Sequence, residues 1–432
     1  MVKNSSNPSE KSSNNLNVDY GEKKFKVLLV GYNGANNTGS EARLRVIISD
    51  LKELLGKNVE ISIPTLNQEN LRRYLKETET LKIVPLPSIY FLTLRKLVKE
   101  HDVVILVEGS CYMDTWTSAL LWAFLWATKC AHDFKKLSLA YAVDAGKLSP
   151  LNKKLVQREA SKTNLIITRN FESRKILKSA GVNAPIDVTA DCAFEFKVDE
   201  ADNNILNETW PEADNQLVGL SVVDFYLWPV VIRPWGRSED KYRWPYYFSR
   251  SKKRDELREE LANSWAQLLD HLIKEYNQNI ALICMEDLDE PLARKILEKI
   301  QCPKKAKIFS SNKFNASEMT VILRKLNLLF TSRYHASVLS LAHQPPQIAI
   351  GHDNRLKILY KEMGIYDKYF VDYQDPDLWK KILKKAETLL KSPESMQSTL
   401  KTGYNEQLKR AQNNKTLLNE FIKKFLKREA MP

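Results

Sequence analysis

The chain lacks the residue spacings that announce a metal site or a disulfide framework. Its five cysteines (Cys111, Cys130, Cys192, Cys284, Cys302) are widely separated, contain no C-x-x-C pair and are odd in number, and its six histidines are dispersed. That pattern argues against a zinc site and reads as reduced, mostly buried thiols in a cytoplasmic protein. Metal is accordingly not expected. An apolar signal core is also missing: residues 1–24 are rich in Asn, Ser and Lys, which excludes a secretory signal and reads as a disordered leader. No stretch reaches the roughly 20 apolar residues a bilayer-crossing helix needs. The most apolar run, Ala119 to Ala127, is expected to be a buried helix. Neither G-x-G-x-x-G nor a phosphate loop with Lys after its last glycine occurs, which weakens a dinucleotide or ATP assignment.

What is present is length and positive charge. The 432 residues suggest two domains, and 43% hydrophobic content is ample for their cores. A net charge of +13 favours an anionic partner, whether a phosphorylated small molecule, an anionic membrane surface or nucleic acid. Short β-branched runs alternate with helical patterns at 26–31, 59–64, 81–85, 103–108, 138–143 and 165–168. They resume at 217–223, 280–285, 307–309, 328–331 and 347–350. Apolar runs without polar alternation, such as Val27-Leu28-Leu29-Val30, fit parallel strands covered on both faces. The expected architecture is α/β: two Rossmann-like, doubly wound domains in tandem with a C-terminal helical extension. The boundaries are 25–196, an acidic, Asn-rich linker at 197–215, then 216–374. A Lys-rich tail at 375–432 reads as two helices broken near Ser392-Pro393. Its last turns interleave Phe421, Ile422, Phe425 and Leu426 with Lys423, Lys424, Lys427 and Arg428. Two readings remain open there: a helix packed on the body with a solvated basic face, or attraction to an anionic membrane.

In doubly wound sheets, ligands sit at the carboxyl ends of strands where the strand order reverses. Four segments fall at such ends. Gly31 to Arg43 follows the first strand; Gly34, Asn37 and Gly39 would let backbone approach a ligand, and Ser40 could cap the helix. Glu108-Gly109-Ser110, followed by Asp114, places acids and small residues after the fourth strand, where a general acid or base would stand. Asp114 would serve equally as a helix cap. A long loop, 224–250, carries Trp228, Arg233, Trp235, Arg243, Trp244, Tyr247 and Arg250. Its aromatic faces and guanidinium forks suit sugars and phosphates, or single-stranded nucleic acid, or a structural cover over the cleft. Finally, Thr331-Ser332-Arg333-Tyr334-His335 joins an apolar strand to a helix. It sets a guanidinium and an imidazole beside free N–H groups, an arrangement suited to phosphate.

Taken in order, these segments resemble the polysaccharide pyruvyl transferase family. The resemblance lies in Gly31-Tyr32-x-Gly34-x-x-Asn37-x-Gly39-x-Glu41, in Thr168-Arg169-Asn170-Phe171-Glu172-Ser173, in Ala190-Asp191-Cys192, and most of all in Ser332-Arg333-Tyr334-His335-Ala336. The chain differs from the family's usual pattern at Glu108-Gly109-Ser110 and at Gly39-Ser40-Glu41. It also has no histidine around Cys284-Met285-Glu286-Asp287. The resemblance implies a GT-B-like fold, phosphoenolpyruvate as co-substrate with no further cofactor, and a sugar or lipid-linked glycan as acceptor. The product would be a pyruvate ketal on a cell-surface glycan or its precursor. It implies Arg333 and His335 as donor-site residues, with Arg233 as a further arginine. Asp114, Glu41 and Glu286 are the candidates for acid and base. The implied setting is cytoplasmic, with peripheral contact at the inner face of the cytoplasmic membrane left open, and no nucleic-acid partner is expected. Two other readings stay open: a GT-B glycosyltransferase using a sugar nucleotide, and a non-catalytic glycan- or anion-binding relative.

Overall fold

A computed structural model describes residues 24–429 apart from 116, 214–215, 227–229, 239–240, 245, 250 and 352–353, and apart from the side chains of 232, 241–243 and 425–429. The expected leader up to residue 23, Trp228 and Arg250 lie outside the described residues, as do the side chains of Arg243, Phe425, Leu426, Lys427 and Arg428.

The first sheet contains β1 (Phe25–Val30), β2 (Val59–Thr65), β3 (Leu81–Pro85), β4 (Val103–Leu106), β5 (Leu137–Val143), β6 (Leu165–Thr168) and β7 (Ile186–Val188). All pair in parallel, in the order β3-β2-β1-β4-β5-β6-β7. Val27, Leu28 and Leu29 are fully buried, as continuous apolar strands between two helical layers must be. After β8 (Leu217–Ser221) the chain makes a small antiparallel sheet from β9 (Val230–Ile232), β10 (Lys241–Arg243) and β11 (Tyr246–Phe248). It then completes the second parallel sheet with β12 (Asn279–Cys284), β13 (Ala306–Ser310), β14 (Leu328–Thr331), β15 (Gln347–Gly351) and β16 (Phe370–Asp372). The order is β13-β12-β8-β14-β15-β16. Each sheet thus reverses direction beside its own first strand, between β1 and β4 and between β8 and β14.

Two segments hold more structure than their composition suggested. The 197–215 stretch forms a 3-10 turn at Glu200–Asn204 and a short helix at Ile205–Thr209. It is pinned by buried Leu206 and by Trp210, whose ring lies 6.2 Å from that of Phe309. The 224–250 loop folds into the small antiparallel sheet, anchored by buried Tyr247 and Phe248, with Trp235 left 78% exposed.

The tail is two helices, Leu378–Lys391 and Glu394–Glu429, meeting at Ser392-Pro393. The second buries Met396, Leu400, Ala411, Leu418 and Ile422, then returns to the first sheet. There Asn414 accepts from the Thr189 hydroxyl (2.6 Å) and donates to Ala190 O (3.0 Å), while Lys415 pairs with Glu53 at 3.0 Å. The 118–133 helix buries Leu121, Phe124 and Leu125, and no described helix is long and apolar enough to cross a membrane.

Candidate functional site

The two points of strand reversal face each other. Thr331 closes a tight turn after β14: its hydroxyl accepts from Arg333 N (3.0 Å) and donates to Arg333 O (2.9 Å). The following helix, Tyr334–Ser340, has only seven residues, so its dipole is small and the side chains carry the electrostatics. His335 points across to the helix that follows β1, Thr38–Leu55. A Cβ built on Gly39 would stand 1.9 Å from His335 Nδ1, so any side chain at 39 would displace the imidazole.

Beneath His335 lies a buried ionic cluster from the first domain. His335 Nε2 is 3.4 Å from Asp191 Oδ2. Asp191 also meets Arg43 Nη1 at 2.8 Å and Arg169 Nη1 at 2.6 Å, and accepts from Ala193 N at 2.9 Å. Arg43 donates further to the carbonyls of Tyr141 (3.0 Å) and Val107 (3.2 Å). Arg169 donates from Nε to Asp144 at 3.0 Å and lies 4.1 Å from the Tyr334 ring centroid. Gly109 leaves room for that guanidinium, since a Cβ there would be 3.0 Å from Arg169 Nη1. Glu108 accepts from the Ser40 hydroxyl at 2.8 Å.

A second cluster holds Arg333. Its Nε donates to Asp289 Oδ2 at 2.9 Å and its Nη1 to Glu286 Oε2 at 3.0 Å, while Glu286 Oε1 accepts from Tyr32 at 3.3 Å. Glu286 and Asp289 cap the turn after β12 reciprocally. The 31–37 loop docks here. Thr38 N donates to Met285 O (2.9 Å), Asn36 donates to Asp287 (2.9 Å), and Ser311 donates to Asn36 O (2.7 Å). Gly34 makes this turn possible with φ +73°, and Asn37 caps the 38–55 helix by accepting from Ser40 N at 3.0 Å.

Charge is unevenly settled. Burial pushes Asp191 up, but Arg43, His335 and Arg169 outweigh it and hold the carboxyl well below its ordinary value. Burial raises Asp289 to about 6, only partly offset by Arg333. Burial likewise raises Glu41 to about 7 against the hydrogen bond from Ala316 N. Desolvation lowers His335 despite Asp191, which favours the neutral imidazole.

Of the residues singled out from sequence, the structure gathers Gly39, His335, Arg333, Glu286 and Asn37 at one seam. Gly109 adjoins through Arg169, and Ser110 approaches Arg355 Nη1 at 3.5 Å. Others lie apart. Asp114 accepts from Ser149 N (2.9 Å) and Asn152 Nδ2 (2.7 Å), clasping its own loop. Glu41 is buried between domains, its carboxyl accepting from Ala316 N at 2.9 Å. Arg233 stacks on Tyr247 at 4.8 Å on the small antiparallel sheet. Sequence reasoning gave no role to Arg43, Asp144, Arg169 or Asp191. Their signal was a charge set among small and apolar residues directly after β5, β6 and β7, or inside an apolar helix. Among the described residues, no group of three or more His, Cys, Asp or Glu is arranged to hold a metal.

Two parallel sheets with facing reversal points define the class: a GT-B-like, two-domain α/β protein. Solved structures share this fold. A UDP-GlcNAc 2-epimerase from Methanocaldococcus jannaschii aligns with TM-score 0.55 and 14% identity over 88% of this chain and 98% of its own. A putative UDP-N-acetylglucosamine 2-epimerase from Listeria monocytogenes gives 0.58 and 12% over 94% and 97%. Anabaena HepE, solved with UDP and glucose, gives 0.57 and 13% over 94% and 100%. At such identity the likeness is one of fold alone. A search of curated proteins finds no match. The sequence model described as "Polysaccharide pyruvyl transferase" matches residues 37–354, most of the chain, and the protein belongs to that family.

Proposed function

We propose that the protein transfers a pyruvyl group from phosphoenolpyruvate to a sugar residue, free or lipid-linked, forming a ketal on a glycan or its precursor. One observation carries this reading: where the two reversal points meet, inside the segment that matches the family, His335 packs against Gly39 while Arg333, two residues earlier in the same turn, pairs with Glu286. In the reaction the methylene carbon of the enol takes a proton and positive charge develops at the neighbouring carbon. A sugar hydroxyl attacks that carbon and loses its proton, inorganic phosphate leaves, and a second hydroxyl closes the ketal as its proton passes to the departing phosphate. Arg333 would neutralise phosphate or carboxylate once its fork turns from Glu286 to the substrate, and neutral His335 would relay a proton. Glu286, touching both Arg333 and Tyr32, is the best-placed carboxylate for acid or base work. No metal or organic cofactor enters this scheme. A cytoplasmic setting belongs to the same proposal, supported by five unpaired cysteines of which four are buried.

The test is the thermal midpoint of the purified chain against rising phosphoenolpyruvate. A ligand that binds only the folded state raises it with concentration. Arg333→Ala should weaken donor binding roughly ten- to a hundredfold, the loss of one charge-assisted bond. A folded Arg333→Ala protein that responds like wild type would remove Arg333 from the donor site. A second reading, sugar-nucleotide chemistry, is favoured by one observation, the likeness to the HepE fold solved with UDP. A midpoint raised by uridine diphosphate and unmoved by phosphoenolpyruvate would select it.

A further inference from the structure

Among the described residues, an apolar face lies exposed beside the first sheet. At the carboxyl edge of the first sheet, β3 leads into the Phe91–Glu100 helix, β4 into Ser118–Asp133 and β5 into Pro150–Ala160. The starts of the first and third of these helices present Ile89 (69% exposed), Leu92 (82%) and Leu151 (64%) to solvent, with Phe91 also exposed. Half-buried Trp122 and Trp126 join them into one surface. Trp126 stacks edge-on to Phe91 at 5.8 Å and donates to its carbonyl at 2.8 Å, while Trp122 donates to Asn152 at 2.9 Å. Exposed Lys147, Lys153 and Lys154 lie close to Leu151 in sequence, and exposed Lys96 lies one turn beyond Leu92.

We propose that this face docks on an anionic lipid surface. Large aliphatic side chains flanked by indoles and accompanied by lysines are the composition of a shallow interfacial contact: the apolar groups enter the acyl boundary, the indoles sit at headgroup depth and the lysines meet lipid phosphate. The basic tail is less suited to it, because Leu418 and Ile422 are buried in the body of the protein. The face lies on the same sheet edge as the 31–37 loop and Glu108. A protein seated there would present its cleft to a headgroup-borne acceptor. The inference does not depend on the pyruvyl reading, because its test measures binding and not turnover.

Co-sedimentation of the full chain with phosphatidylcholine vesicles, with and without phosphatidylglycerol, tests it. The wild type should pellet with the anionic vesicles and be released by salt. Ile89→Ser combined with Leu92→Ser should lower partition by roughly tenfold or more. Lys153→Glu combined with Lys154→Glu should weaken binding and flatten its salt dependence. Both double variants alter exposed side chains and should keep the wild-type thermal midpoint. Wild type that stays in the supernatant overturns the proposal, as does vesicle binding indifferent to the Ile89/Leu92 pair. A concentration-dependent dimer abolished by that pair, with no vesicle binding, overturns it in favour of self-association.

Discussion

Two buried aspartates stand on opposite walls of the cleft, each against an arginine, and their protonation is pulled in opposite directions. Asp191, wholly buried, is held well below the ordinary carboxylate value; Asp289, 2% exposed, is raised to about 6. Desolvation is the largest influence on both. What separates them is the company each keeps. Asp191 has two guanidinium groups and an imidazole around one carboxylate. Asp289 shares the single fork of Arg333 with Glu286, a like charge. Two guanidinium groups set directly on one carboxylate overcome burial, whereas one guanidinium divided between two carboxylates leaves burial in command. The first cluster is therefore saturated and structural. The second holds an arginine beside one carboxyl, Asp289, that burial pushes toward its neutral form.

The largest expected effect comes from breaking the saturated side. Asp191→Ala leaves Arg43 and Arg169 buried with one counter-charge fewer. It should cost about 3–5 kcal/mol in urea unfolding at neutral pH. A loss below about 1 kcal/mol would show that the cluster relaxes or hydrates on mutation. Next comes the opposite wall. Because the folded-state pKa of Asp289 lies above its ordinary 3.8, its contribution to stability is fully present below that value and is lost as pH rises through about 6. Asp289→Asn, which cannot ionise, should escape this loss and be more stable than wild type by about 1–3 kcal/mol above pH 7. Asp191 carries the reverse sign: its depressed pKa makes its contribution present above the ordinary carboxylate value and lost on acidification. Parallel pH-stability curves for Asp191→Asn and Asp289→Asn would erase the contrast. The smallest effect tests a single hydroxyl contact at the margin of the saturated cluster. Ser40→Ala removes one hydrogen bond to Glu108 and should cost about 1 kcal/mol.

The parallel strands were legible because apolar runs bounded by helical periodicity have few other uses. Arg333 and His335 were legible because a basic pair directly after a buried strand is uncommon. The three-residue strands β7 and β16 were not, since a short edge strand leaves too little alternation to read. The small sheet at 230–248 was hidden for a related reason: its pairing is set by aromatic packing of Tyr247 and Phe248, and a loop rich in Trp and Arg looks the same whether paired or open. Asp191 and Arg169 stood inside the segments that carried the family resemblance but showed no chemistry of their own. A buried ion pair is created by two distant segments meeting, and neither segment records its partner. Asp114 and Glu41 show the converse. An acid at a strand's end satisfies a loop or a helix N-terminus as readily as it serves catalysis, and both do the former here.

The 36-residue C-terminal helix sets the mechanics of the cleft. At about 54 Å long, it starts on the second sheet's side and ends against the first, fastened by Asn414 to Thr189 and Ala190. The chain crosses between domains twice, once near residue 200 and once along this helix. Two crossings restrain the domains more than one would, as the spine of a book restrains its covers, and favour a swing over a slide. Opening the seam would then unfasten Asn36 from Ser311 and Thr38 from Met285, and would lift Gly39 from the imidazole of His335, while the clasp at Asn414 stays shut.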